Sequence, residues 1–169
     1  MYDAYTSSSS VDLFTRTKIF SEKEIEARNE VKWEVYTKKV QIEARVLGDL
    51  VLNHVLPVAT RYQTALIENV KRIREVFPPE DWNDLSGEEM LLIREISLHM
   101  NVIRTLIREL VEARKVINRV DNEREKAIGY HDRVSPFLEE IRHHVDKLEQ
   151  MVDDQMWPLP KYREMLFSR

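Results

Sequence analysis

Apolar residues recur at alternating steps of four and three from Leu92 through Ile96, His99, Ile103, Leu106, Leu110, Ala113 and Ile117 to Val120. That spacing keeps one narrow stripe on one side of an α-helix, the seam by which long helices pack on one another. A second stretch repeats it with Leu138, Ile141, Val145, Leu148 and Val152. Period-two alternation and two-residue hairpin turns are missing, so the pattern predicts an all-α chain. With 43% hydrophobic and 33% charged residues, the chain can build a core. At 169 residues it is long enough for a single domain.

Helix boundaries follow from local chemistry. Ser21 and Glu24 form a capping box that opens a helix predicted to run to about residue 77. Pro57 lies inside it. A proline removes the hydrogen bond to the Asn53 carbonyl and predicts a kink there. Val55, Ala59, Tyr62, Leu66, Ile73 and Phe77 carry the apolar face past the kink, and Pro78-Pro79 ends it. Ser86 and Glu89 suggest a second capping box and a helix over about 87–131. Ser135-Pro136 suggests a third over about 136–156, and Lys161 to Phe167 a short terminal segment. Residues 1–13, with the serine run Ser7–Ser10, read as a disordered lead or linker, and 14–169 as one helical domain.

The short connection near Trp82 predicts an antiparallel pairing of the first two long helices. A turn centred there places Leu66 opposite the His99 zone and Glu43 opposite Asp121–Arg124. The last helix then covers only the far end, leaving the Val58–Ile107 end as a bare hairpin. Glu43 falls among Tyr36, Val40, Leu47 and Leu50 on an apolar face. Asp121 and Arg124 continue the opposite stripe, with Arg114 at its edge. A buried carboxylate needs a partner, so these four predict a buried ion pair that sets register. Near the start of the second long helix, apolar residues overflow the stripe on both flanks. Leu91, Leu98 and Val102 lie on one side; Ile93, Met100 and Ile107 lie on the other. One partner helix cannot cover so wide an arc, so these six are candidates for an interface.

Composition removes several function classes. The 3 glycines stand apart, which argues against a P-loop or dinucleotide turn. With 0 cysteines there is no disulfide, thiolate zinc site or cysteine nucleophile, and a reducing compartment fits. The net charge of -4 and the mixed charges around Lys71-Arg72 and Arg114-Lys115 argue against nucleic acid. No apolar run reaches the ~20 residues of a membrane helix, and no signal-peptide pattern opens the chain. His54 and His99 sit on apolar faces and read as satisfied core histidines. Glu140 and His143 match one half of a di-iron motif. His143 points away from the core, however, and no second such pair exists, so His143-His144 reads as a solvated pair. The residues thus predict no catalytic, metal or cofactor site.

Several strings in order carry a resemblance. They are Lys38-Lys39-Val40-Gln41-Ile42-Glu43-Ala44-Arg45, Asn53-His54-Val55-Leu56-Pro57 with Arg61-Tyr62-Gln63, Glu112-Ala113-Arg114-Lys115, Asn122-Glu123-Arg124-Glu125-Lys126-Ala127, and Trp157-Pro158-Leu159-Pro160-Lys161-Tyr162-Arg163-Glu164. Together they resemble the C-terminal region of type III glutamine synthetases, the large bacterial form of Bacteroides-like organisms, over Phe14 to Phe167. The resemblance implies a cytoplasmic parent enzyme that joins glutamate and ammonia at the expense of ATP, with Mg or Mn, in a large homo-oligomer. It implies that the catalytic ligands lie on an upstream β-rich domain, so no catalytic residue carries over to this chain. An accessory domain packed on that catalytic domain and on neighbouring subunits is the role implied. A free-standing helical interaction module is the alternative.

Overall fold

The computed structural model describes residues 2–166. Met1 and residues 167–169 of the expected ranges, Phe167 among them, lie outside these. The described residues contain seven α-helices and no strand, as the apolar periodicity predicts. The helices are α1 (Ser8–Arg16), α2 (Glu22–Leu50), α3 (Leu56–Val76), α4 (Trp82–Ile117), α5 (Glu123–Arg133), α6 (Ser135–Met151) and α7 (Tyr162–Leu166). The chain divides into two compact units, Met1–Arg45 with Leu110–Pro136 and Val46–Glu109 with Phe137–Arg169. The divisions fall inside α2, α4 and α6.

Residues 2–13, read from the serine run as a lead or linker, are largely helical. Tyr2–Thr6 form a 3-10 turn and Ser8 opens α1. The serines act as caps: the Ser10 amide donates to Ser7 Oγ at 3.4 Å, and Ser10 Oγ donates to the Ala4 carbonyl at 2.8 Å. After α1, Lys18 takes the left-handed conformation with φ 55°. The Ile19 amide reaches the Phe14 carbonyl at 3.0 Å and the Lys18 amide the Thr15 carbonyl at 3.1 Å, a Schellman closure. The Ser21–Glu24 box forms as expected, with the Ser21 amide donating to Glu24 Oε2 at 2.7 Å. Those bonds hold the Glu24 carboxyl below the usual carboxylate range, the Ser21 backbone amide most of all.

Pro57 takes the form of a wide turn. Val51–Val55 are π-helical, and the Leu56 amide donates to the Val51 carbonyl. A five-residue repeat absorbs the bond that Pro57 cannot make. It also rotates the face: Leu52, Asn53 and His54 are all exposed. His54 therefore lies outside the core, where a uniform 3.6-residue period had put it.

The second long helix begins earlier and ends earlier than its sequence suggests. A 3-10 turn at Pro79–Asp81 leads directly into α4 at Trp82, whose indole Nε1 donates to the Phe77 carbonyl at 2.9 Å. Ser86 is consequently inside α4 and donates to the Trp82 carbonyl at 2.8 Å instead of capping. α4 stops at Ile117, not near 131. Asn122 caps α5, accepting from the Glu125 amide at 3.0 Å. At the other end, α6 starts at Ser135 and finishes at Met151, short of 156, where Val152 and Trp157 turn inward.

In the first unit, Ile25, Val40, Ala44, Leu110, Ile117, Ala127, Tyr130 and Val134 form the core. Asn118 Oδ1 ties three elements, accepting from Tyr130 Oη at 2.6 Å and Gln41 Nε2 at 3.3 Å. Phe14 stacks between Tyr5 and Phe20 at 5.5 Å and 5.7 Å, and Arg28 lies 4.4 Å from the Phe20 ring. In the second unit α3 and α4 are antiparallel. Gln63 Nε2 donates to the Ile93 carbonyl at 2.8 Å and to Ser97 Oγ at 2.5 Å, and Asn69 Nδ2 to Glu89 Oε1 at 2.8 Å. The register is displaced by about one helical turn from the one a Trp82-centred connection predicts, because the turn is centred on the prolines.

Two substitutions test this reading. Gly129 is where α5 crosses α4, and a Cβ there would lie 3.1 Å from Ile117 Cγ2. Gly129→Leu should cost about 1–3 kcal/mol in urea unfolding, since the overpacking has no open side to relax into. Lys18→Gly should raise stability by about 0.5–1 kcal/mol, because the left-handed position then carries no side-chain penalty.

Candidate functional site

The candidate site is the α3–α4 arm of the second unit and the histidine contact on it. Ile96 and Ile103 of α4 are fully buried, and Met100 and Ile107 are 5% and 6% exposed. Ile93 is half-buried. The flank of Ile93, Met100 and Ile107 is therefore covered by its own unit, a correction to its expected place in an interface. Thr60 of α3 reaches the Met100 sulfur at 3.6 Å. On the other flank Leu91 and Leu98 are 60% and 57% exposed, with Val102 half-buried. Ile67, Val76, Phe77, Leu85 and Met90 are exposed as well. Between the end of α3 and the start of α4 runs a groove lined by Ile67, Val70, Trp82, Met90 and Ile93, with Lys71 and Arg74 at its edge. Arg74 lies over the Trp82 ring at 5.2 Å. Its chemistry is that of a docking surface: apolar area with a rim of mixed charge.

The arm is less bare than expected, because α6 reaches it. His99 Nδ1 and His144 Nδ1 are 2.8 Å apart, with ring centroids at 5.0 Å. His99 is a buried, satisfied histidine, as its apolar position predicts. His144 is half-buried and not a free surface residue; it lies between Ile141 and Leu148, both fully buried, on the inner stripe of α6. Burial pushes both rings below the ordinary histidine value. The Glu95 carboxylate, 4.0 Å from His99 Nε2, acts in the opposite sense on His99. His143 is exposed.

The expected buried ion pair does not exist. Glu43, Asp121 and Arg124 are all exposed, and Arg114 is half-buried with a buried Nε that finds no acceptor. The break at residues 118–122 removes Asp121 and Arg124 from the stripe on which a continuous helix had placed them. Arg124 instead forks onto Asp3, Nε to Oδ1 and Nη2 to Oδ2 both at 2.7 Å. That paired hydrogen bond holds the Asp3 carboxyl below its usual range and raises Arg124. Nothing in the charge pattern pointed to Asp3, which lies 121 residues away in sequence.

Among the described residues no three His, Asp or Glu side chains converge as a metal-ligand group, and the two facing histidine nitrogens are bonded to each other. No helix among the described residues is long and apolar enough to cross a membrane.

Residues 1–74 match the family model of the glutamine synthetase C-terminal domain. The chain is thus similar to the C-terminal domain of glutamine synthetases. The matched residues include Asp3, the partner of Arg124. Over 165 residues, 98% of the chain, it is 48% identical to a glutamine synthetase of Bacteroides fragilis, covering 23% of that protein. It is 31% identical over 163 residues to a type-3 glutamine synthetase of Dictyostelium discoideum, covering 22% of that protein. A glutamine synthetase of Butyrivibrio fibrisolvens is 25% identical over 174 aligned residues, with 23% of it covered. The chain thus spans less than a quarter of the length of these relatives.

Two further substitutions separate the exposed charges from the core. Glu43→Ala should change unfolding stability by no more than ~0.5 kcal/mol, since it strands nothing. Arg124→Ala should leave the cooperative unfolding transition almost in place while residues 2–16 lose amide protection and become open to limited proteolysis.

Proposed function

We propose that this chain serves as the C-terminal accessory and assembly domain of a glutamine synthetase and is inactive by itself. The parent enzyme would be a cytoplasmic homo-oligomeric ligase that joins glutamate and ammonia using ATP and Mg or Mn, with those ligands held elsewhere in the polypeptide. The observation carrying this reading is the coverage: nearly all of this chain aligns with under a quarter of the Bacteroides fragilis enzyme. The exposed Leu91 and Leu98 supply an apolar face of the kind that packs on another protein surface.

The test uses that relative. The chain alone, given glutamate, ammonium, ATP and Mg or Mn, should release no phosphate above background. Added to Bacteroides fragilis glutamine synthetase lacking the aligned segment, it should co-elute in size-exclusion chromatography. Leu91→Glu with Leu98→Glu should weaken that co-elution while leaving the helical circular dichroism unchanged. Phosphate release dependent on glutamate and ammonium by the chain alone, or no co-elution of the unaltered chain, would overturn the proposal.

A further inference from the structure

We propose that the His99–His144 contact is a two-proton latch that holds α6 on α4 and lets go on acidification. The two Nδ1 atoms lie 2.8 Å apart, a distance that admits one proton between them. One ring must donate from Nδ1 and the other must present a lone pair there. The surroundings choose the roles. The carboxylate of Glu95, 4.0 Å from His99 Nε2, favours the tautomer in which His99 carries its proton on Nε2. His99 Nδ1 is then the acceptor and His144 Nδ1–H the donor.

The proton count makes the response stepwise. A first added proton goes to His144 Nε2, which is not part of the bond, so the donor remains and the contact persists with one positive charge. A second proton can enter only at His99 Nδ1. That removes the acceptor and sets two N–H groups and two positive charges face to face. The charges would sit in an apolar seam between Ile96 and Ile103 on one side and Ile141 and Leu148 on the other, all fully buried. His99 is buried and His144 half-buried, so the seam solvates two charges poorly and binding of the second proton favours movement of α6 away from α4.

The neighbouring charges are few and face the pair from both helices. Glu95 on α4 and Glu140 on α6 favour protonation; His143 and Lys147 on α6 oppose it. On α3, Arg61 and Tyr62 stand at the same level, between the Thr60–Met100 and Gln63–Ser97 contacts, with Arg61 exposed and Tyr62 half-buried. Burial, the largest influence on either ring, lowers both. A ring held below its unfolded value contributes stability that is complete above the ordinary histidine value. That stability is lost as pH falls through the folded values. The latch is therefore closed at neutral pH and opens on the acid side. This inference stands apart from the proposed role in a glutamine synthetase.

The experiment is hydrogen–deuterium exchange on the full chain at about pH 7.5 and about pH 5, corrected for the intrinsic exchange rate. Protection of the α6 amides should fall about tenfold or more at the lower pH. His144→Gln should abolish that pH dependence. His143→Gln, an exposed neighbour whose ring centroid is 5.4 Å from that of His144, should preserve it. Should His144→Gln fail to fold, nitrogen-15 NMR of the unaltered chain decides by itself. His144 should titrate before His99, with an Nε2-protonated neutral His99. Unchanged α6 protection in the unaltered chain, the same loss in folded His144→Gln, or two histidines titrating independently at the ordinary value would each overturn the latch.

Discussion

The buried face of α4 is the constraint on which the rest of the molecule depends. Its residues Ile96, Met100, Ile103, Leu106 and Ile107 supply the core of one unit, and Leu110 and Ile117 supply the core of the other. Each unit then adds partners that α4 cannot provide for itself. In the second unit α3 approaches with Val58, Ala59 and Val70 buried, and α6 with Ile141 and Leu148. In the first unit α2 and α5 pack with Val40, Ala44, Ala127 and Tyr130 buried. Burial of such side chains stabilises by roughly 1.5–3 kcal/mol each, so the apolar seams outweigh the exposed ion pairs by a wide margin.

Polar groups admitted to these seams set geometry. Asn118 accepts from Tyr130 and Gln41, linking α5 and α2 at the point where α4 ends. His99 and His144 do the same for α4 and α6 in the other unit. Each contact requires its partners at one level, so a slip of either helix would leave the buried Tyr130 hydroxyl or the buried His99 ring without its partner. Register is therefore specified by neutral hydrogen bonds and not by the buried charge pair that a helical wheel suggests.

Much of the fold was legible in the residues because long helices advertise themselves through period and caps. The Ser21–Glu24 box, the all-α class, the seam from Ile96 to Ile117 and the histidine at position 99 all follow from spacing. The errors share a cause: a wheel carries phase across any discontinuity it does not notice. The π turn ahead of Pro57 moved His54 outward. The stop at Ile117 moved Asp121 and Arg124 outward, although Asn122 followed by Glu125 was a readable cap. Ser86 shows the reverse case, a good cap pair overruled by a proline-led turn that starts α4 four residues earlier, at Trp82. The serine run looked like a linker because its composition buries nothing, yet its hydroxyls cap α1.

Local sequence by itself determined where helices form and which face of each is apolar, because period, caps and prolines act within a few residues. Only the tertiary structure decided which flank of the α4 arm is covered, that His144 meets His99, and that Arg124 finds Asp3. Those pairings depend on how side chains distant in the sequence share space, and close packing selects them through steric fit and polar satisfaction that no single helix encodes.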